Sequence, residues 1–300
     1  MTRTLGRSTA RRHDARWAVL LLLPAAIFFV VFWFGPGIAT FALSATDWNL
    51  LTPPRFVGLD NFVALVQDTA FLSALRTTAL FTVVVVAVKI VLGFVLAWFL
   101  WTARWGRIGA FIESSLFFPL ILPMAVVALL WGLLFNTDFG VVNATLESLG
   151  LPAIPWLTSA AWALPSLMLL DIWKSLGFFV VVFAVGLRAI PSDILEAAQL
   201  DGAGAVRRAV SVVLPLVSPT TVFLVAIGLI DGLKMFDQAY VLTRGGPGDV
   251  TRTVVYYTWE KAFQSLDAGY ASTLSVVLFA IMLGLTVLQF RLSSKWVHYA

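Results

Sequence analysis

Glu196–Pro215 reads EAAQLDGAGAVRRAVSVVLP. This glycine-broken stretch carries two acids and two arginines in a chain that is 60% hydrophobic and only 12% charged. The mean hydropathy is +0.93. A soluble chain of 300 residues needs far more charge to cover its surface, so long apolar stretches here mean membrane spans. The meaning of the polar stretch depends on the side of the membrane that holds it.

A membrane-crossing helix needs about 20 mostly apolar residues. Six segments meet that length: Trp17–Ala45, Leu75–Trp101, Ile112–Phe135, Ala161–Leu187, Leu216–Phe236 and Gly269–Phe290. The expected class is an all-α integral membrane protein of six transmembrane helices. The first segment follows five arginines, and its apolar run is longer than the ~7–15 residues of a signal peptide, so it reads as a retained helix.

Lysine and arginine counts orient the chain. With the N-terminus inside, the inner segments hold twelve: Arg3, Arg7, Arg11, Arg12, Arg16, Arg104, Arg107, Arg188, Arg207, Arg208, Arg291 and Lys295. The outer segments hold five: Arg55, Arg76, Arg244, Arg252 and Lys261. That bias places both termini and the Glu196 stretch in the cytoplasm of a multi-pass cell-membrane protein. Residues 1–74 then form the N-terminus, first span and outer loop, residues 75–290 a five-helix core with the polar loop at 188–215, and residues 291–300 a cytoplasmic tail. Twelve tryptophans suit a protein with two water–lipid interfaces to mark.

Composition excludes several chemistries. Without cysteine there are no disulfides, thiol nucleophiles or cysteine metal sites. The two histidines, His13 and His298, lie near the termini, which argues against a histidine metal centre or a Ser-His-Asp triad. No Gly-x-x-x-x-Gly-Lys-[Ser/Thr] phosphate loop is present, so the chain is not an ATPase, and no acidic cluster at a membrane surface has metal-ligand spacing.

Around the polar stretch, Pro191 stops the fourth span, Ser192 is the expected N-cap and Asp193 suits the first helical turn. A short helix is expected from Asp193 to Leu200, closed by Gly202 in the left-handed conformation. Ala205–Val213 rebuilds a helix toward the membrane, and Pro215 and Pro219 mark the start of span five. Physical criteria alone leave two readings open, an amphipathic loop resting in the headgroups and a docking knob for another protein.

Glu196-Ala197-Ala198, Gly202 six residues after the glutamate and the closing Leu214-Pro215 resemble the EAA loop of binding-protein-dependent ABC importer permeases. Asp171-Ile172-Trp173-Lys174, Gly186–Pro191, Asp201-Gly202-Ala203, Phe236–Pro247 and Phe56–Phe62 resemble the carbohydrate-type, maltose/glycerol-phosphate-like branch, so the likeness covers nearly the whole chain. The resemblance implies a type I importer permease fold with a cytoplasmic coupling helix. It implies docking on an ATP-binding subunit through Glu196, Ala197, Ala198, Asp201 and Gly202. It further implies a second homologous permease, two ATP-binding subunits that hold ATP and Mg, an extracytoplasmic solute-binding protein, and a sugar, oligosaccharide or polyol phosphate as cargo. This chain itself would be non-catalytic and carry no cofactor, and nucleic acid is no partner.

Ionisable residues at membrane depth call for a functional reading. Lys89 lies in span two, Asp171 and Lys174 share one face of span four, and Asp231 and Lys234 repeat that spacing in span five. The charges either satisfy one another, Lys89 reaching Asp171 for example, or line a cavity that binds substrate. Trp131, Trp173 and Phe178 are candidates to stack on a sugar, with packing as the plainer role. Lys89, Trp131, Asp171, Trp173 and Lys174 form the candidate substrate pathway. Pro119 and Pro123 make span three a cavity wall, a flexing element or a merely kinked helix. The competing function is an ATP-independent secondary transporter or channel, which needs an ion site and usually an inverted repeat; neither is visible.

Overall fold

In a computed structural model, residues 6–103 and 106–293 are described, with side chains from Trp17 onward. Arg3, Arg104, Lys295 and His298 lie outside the described residues, and of Arg7, Arg11, Arg12, His13 and Arg16 only the helical backbone is described. Four helices are long and apolar enough to cross a membrane: Trp17–Leu43, Thr69–Thr102, Ala163–Arg188 and Ala268–Ser293, here spans one, two, four and six. Two bent pairs complete six spans. Span three is Arg107–Ile121 with Met124–Leu134, bent by 100°, and span five is Ala205–Leu216 with Ser218–Leu233, bent by 72°.

Contacts divide the chain into two compact units. The first takes Met1–Ala64 with Lys261–Val276. Its long helix, span one, buries no residue of its most apolar window and presents apolar side chains all round, as a lipid-facing helix does. After it, Thr46–Asp47 pairs antiparallel with Arg55–Phe56, the one small sheet among the described residues of an otherwise helical chain. Asn61 ties this turn down by donating to the carbonyls of Ser44 and Thr46 at 3.0 and 2.9 Å.

The second unit takes Leu65–Glu260 with Val277–Ala300. Span two is its axis. It begins at Thr69, six residues before the Leu75 expected from hydropathy, because Asp68 caps it: its Oδ1 accepts from the N–H groups of Ala70 and Phe71. Phe179, Phe183 and Leu187 of span four pack with Ala97 and Leu100 of span two and Val213, Val217 and Leu224 of span five. A second cluster joins Phe81 and Val85 to Leu164, Leu167, Met168 and Met235. Small residues bring the helices close, as is common between membrane helices. A Cβ on Gly232 would stand 2.8 Å from Thr82 Cγ2, one on Gly93 2.8 Å from Phe179 Cβ, and one on Gly177 would overlap the carbonyl oxygen of Leu116.

The break in span three follows from its prolines. Pro123 forces Leu122 out of the helical region to φ −73°, ψ 138°, and the second half restarts at Met124 with Pro123 as its cap. The prolines therefore do more than kink the helix: they turn it by about a right angle.

Candidate functional site

The Glu196 stretch folds as its glycine and proline spacing requires. Helix Ser192–Leu200 is closed by Gly202 at φ +75°, a conformation that costs a side-chain-bearing residue about 1–2 kcal/mol. Ala203 N–H donates to Ala198 O and Gly202 N–H to Gln199 O, both at 3.0 Å, which is the Schellman arrangement. The start differs from the expected one. Pro191, with φ −58° and ψ 135°, stands at the N-cap, and Ser192 is the first helical residue, its hydroxyl turned to Asp193 Oδ1 at 3.3 Å. Glu196, Ala197, Asp201 and Gly202 are exposed, and Ala198 is half-buried. The knob is anchored from behind: Leu195 packs against the core, and Arg208 Nη1 donates to Gln199 Oε1 at 3.3 Å.

The rest of span five's first half contains one widened turn. The N–H of Leu214 reaches the carbonyl of Ala209, an i+5 bond, just before Pro215. At the other end of the stretch, Arg188 closes span four. Its Nη2 donates to Oε1 and Oε2 of Glu113 on span three at 2.7 and 2.9 Å. Sequence reading counted Arg188 only among the inner basic residues and did not name Glu113, because nothing in a linear sequence pairs residues 75 positions apart.

A polar cavity of about 280 Å³ opens among spans two to five. Lys89, Asp171 and Lys174 all line it, with Ser175, Asp231, Lys234 and Gln238. Lys89 Nζ, almost wholly buried, donates to Asp171 Oδ1 at 2.6 Å. The other carboxylate oxygen accepts from Gln238 Nε2 at 3.2 Å. Asp171 is therefore satisfied by Lys89 of span two and by Gln238 beyond the end of span five, and not by Lys174 on its own helix. Lys174 instead reaches the carbonyl of Leu120, at the break in span three, at 3.4 Å. That is the carbonyl an unbroken helix would offer to residue 124, so the break supplies the acceptor. Among the described residues Lys174, Asp231 and Lys234 form no ion pair within 4.0 Å.

Trp131 and Trp173 are brought together, 5.4 Å between ring centroids, but stand outside the lining of this cavity. They begin an aromatic run through Phe135 and Trp156 to Trp162. Phe178 meets Phe179 edge-on. A second aromatic cluster lies beside the cavity: Phe236, which lines it, stacks on Tyr240 at 5.3 Å, and Tyr240 meets Trp259 at 4.8 Å. Tyr256 completes the cluster. Sequence reading overlooked Gln238 and these rings. The only signal was their place in or near the quoted run from Phe236 to Pro247.

Residues 89–298 match the family described as the binding-protein-dependent transport system inner membrane component. The chain belongs to that family. It is a membrane permease subunit of an ABC transport system. The permease is 34% identical over 284 residues to the sulfoquinovosyl glycerol transport system permease protein SmoG of Agrobacterium fabrum, covering 93% of this chain and 91% of that protein. It is 34% identical over 291 residues to the sn-glycerol-3-phosphate transport system permease protein UgpA of Yersinia enterocolitica, covering 93% and 95%. Its fold is similar to a chain of a bacterial ABC transporter involved in the import of the acidic polysaccharide alginate, with TM-score 0.84, 23% identity and coverage of 96% and 98%.

Proposed function

We propose that this permease forms half of the membrane pathway of an ATP-driven importer for a sugar, an oligosaccharide or a related polyol phosphate. A second homologous permease supplies the other half, in a heterodimer. Two ATP-binding subunits carry ATP and Mg, and an extracytoplasmic solute-binding protein delivers the cargo. Both termini and the Ser192–Leu200 helix face the cytoplasm, in keeping with the twelve-to-five distribution of basic residues. The cargo class rests on the relatives, which the preceding comparisons describe as permeases for sulfoquinovosyl glycerol and glycerol 3-phosphate.

One observation carries the coupling role. The Ser192–Leu200 helix is short, closed by a Schellman turn and exposed along Glu196, Ala197, Asp201 and Gly202, while Leu195 and Arg208 hold its other side. Small alanines let another surface approach the backbone, and Glu196 orients it. A knob held this way passes displacement to spans four and five as a rigid body, the motion alternating access requires. Within the membrane, Lys89, Asp171 and Lys174 line the polar section of the pathway, and Trp131 and Trp173 offer ring faces nearby.

The test is assembly and coupling in the complete importer. Glu196→Ala and Gly202→Val should each abolish ATPase stimulation by the loaded binding protein, the second because a β-branched residue resists φ +75°. Wild-type stimulation and assembly in both variants would overturn the docking assignment. ATP-independent uptake by this chain alone in liposomes would overturn the importer reading.

A further inference from the structure

Behind the Ser192–Leu200 helix lies a cavity of about 430 Å³ that the transport reading does not use. One wall is the last turns of span two, where Trp98 and Trp101 stand half-buried with ring centroids 5.3 Å apart. The opposite wall comes from Leu195 and Gln199, and Arg208 reaches in from the start of span five. The guanidinium is under-used. Of its five N–H donors, one meets Gln199 at 3.3 Å, and the Nε–H is buried with no acceptor among the described residues. No carboxylate pairs with Arg208 within 4.0 Å among the described residues; Glu196, which borders the cavity, is exposed.

We infer that this cavity holds the headgroup of an anionic phospholipid, its phosphate on Arg208. A buried guanidinium N–H without an acceptor calls for an anion, and a phosphate oxygen pair matches the guanidinium fork. The location selects a lipid over a free anion. The cavity sits at the end of a 34-residue apolar helix, paired tryptophans mark the headgroup level, and exposed Val91, Val95 and Phe99 continue the same helix into the acyl region. Glu196 at the rim disfavours a doubly charged phosphomonoester, which leaves a phosphodiester such as phosphatidylglycerol as the better match. Because Arg208 also holds Gln199, the headgroup would brace the short helix against span two. Any effect on ATPase coupling rests on the function proposed above, whereas the binding site does not.

Native mass spectrometry of the full chain in detergent tests the site with three probes: phosphatidylglycerol, a phosphate-free galactosyl diacylglycerol with the same acyl chains, and inorganic phosphate. Phosphatidylglycerol should bind about tenfold more tightly than the galactolipid, and Arg208→Gln should remove that preference, as loss of one charge-assisted contact predicts. Arg208→Lys, which keeps the charge but not the fork, should retain an intermediate preference. Trp98→Leu with Trp101→Leu should weaken both lipids. Equal retention of the two lipids by the wild type, an unchanged preference in Arg208→Gln, or displacement of phosphatidylglycerol by millimolar phosphate would each overturn the proposal. Binding of phosphatidylglycerol with no ATPase subunit present would support it even if the coupling variants of Glu196 and Gly202 behaved as wild type.

Discussion

Removing the carboxylate of Asp171 should cost this fold more than removing the ammonium of Lys89, although the two groups make one ion pair. Lys89 is 4% exposed and Asp171 17%, with 2.6 Å between them. Asp171→Ala leaves an ammonium with no ion pair within 4.0 Å, against the face of Phe179, 5.4 Å from Nζ to the ring centroid, in the cavity that Asp231 also lines. It also strips Gln238, itself buried, of its acceptor. Breaking a buried pair from one side costs about 3–5 kcal/mol. Lys89→Met, by contrast, leaves a carboxylate that keeps the Gln238 N–H and looks into the polar cavity. Its cost should fall below that range, at about 1–3 kcal/mol. Lys89→Met combined with Asp171→Leu removes both charges and should recover most of the loss, since apolar replacement of a buried pair is often neutral. Thermal unfolding of the four proteins in one detergent gives the comparison, with a fall in Tm on the order of 10 °C for Asp171→Ala. The reasoning fails if Lys89→Met is the worse single variant, or if the double variant melts no higher than Asp171→Ala.

Three other outcomes follow from contacts of the same kind. Gly177→Ala places a methyl on the Leu116 carbonyl and should destabilise the span three–span four crossing by at least about 1–3 kcal/mol, read as lowered Tm. Tyr257 donates to Asp68 Oδ2 at 2.6 Å, and burial first, then this hydrogen bond and the carboxylate's charge, raise its pKa above the usual 10.0. A raised folded pKa means this stabilisation is whole below pH 10 and is lost as pH climbs toward the folded value, so the wild type should lose Tm between pH 10 and 11 more steeply than Tyr257→Phe. Arg188 is more than half exposed but Glu113 is only 17% exposed, so Arg188→Glu, which sets two carboxylates against each other, should lower stability by about 1–3 kcal/mol. In the assembled importer it should also reduce binding-protein-stimulated ATPase, with Glu113→Arg restoring both in the double variant.

The membrane class and the six spans were legible because hydropathy over about 20 residues is a local signal. The Gly202 closure was legible because a left-handed helix end favours one residue type. Where the reading fell short, the missing information was not local. Span two starts at Asp68 because a polar cap extends the helix beyond its apolar run, and a hydropathy window stops at the apolar edge. Ser192 lost the cap position to Pro191 because a proline with ψ 135° already supplies the extended residue before the first turn. Lys89 reaching Asp171 was among the readings left open, because a lone lysine at membrane depth needs a partner, and the structure makes that bond. Gln238 was overlooked because a neutral amide raises no such demand in sequence, though its placement completes the carboxylate's bonding.

The contacts also connect the two candidate regions in a way the individual motifs do not. Arg188 sits four residues before the Ser192–Leu200 helix and grips Glu113, on the first half of span three. That half runs from Arg107 to Ile121, passes against Gly177 at Leu116, and ends beside Leu120, whose carbonyl holds Lys174 at the polar cavity. A displacement of the short helix therefore has a continuous route to the cavity along one rigid helical segment. The route stops at Leu122–Pro123, where the 100° bend separates the first half of span three from the second, which packs against Leu170. Contiguity alone does not establish coupling. What gives this route mechanical content is its geometry: fixed at one end by a two-oxygen salt bridge, at the middle by backbone-to-backbone contact that no side chain can cushion, and at the other end by a carbonyl freed by proline. A straight span three would have kept Leu120 O within its own helix and left Lys174 without this partner, so the break is what joins the first half of span three to the polar cavity.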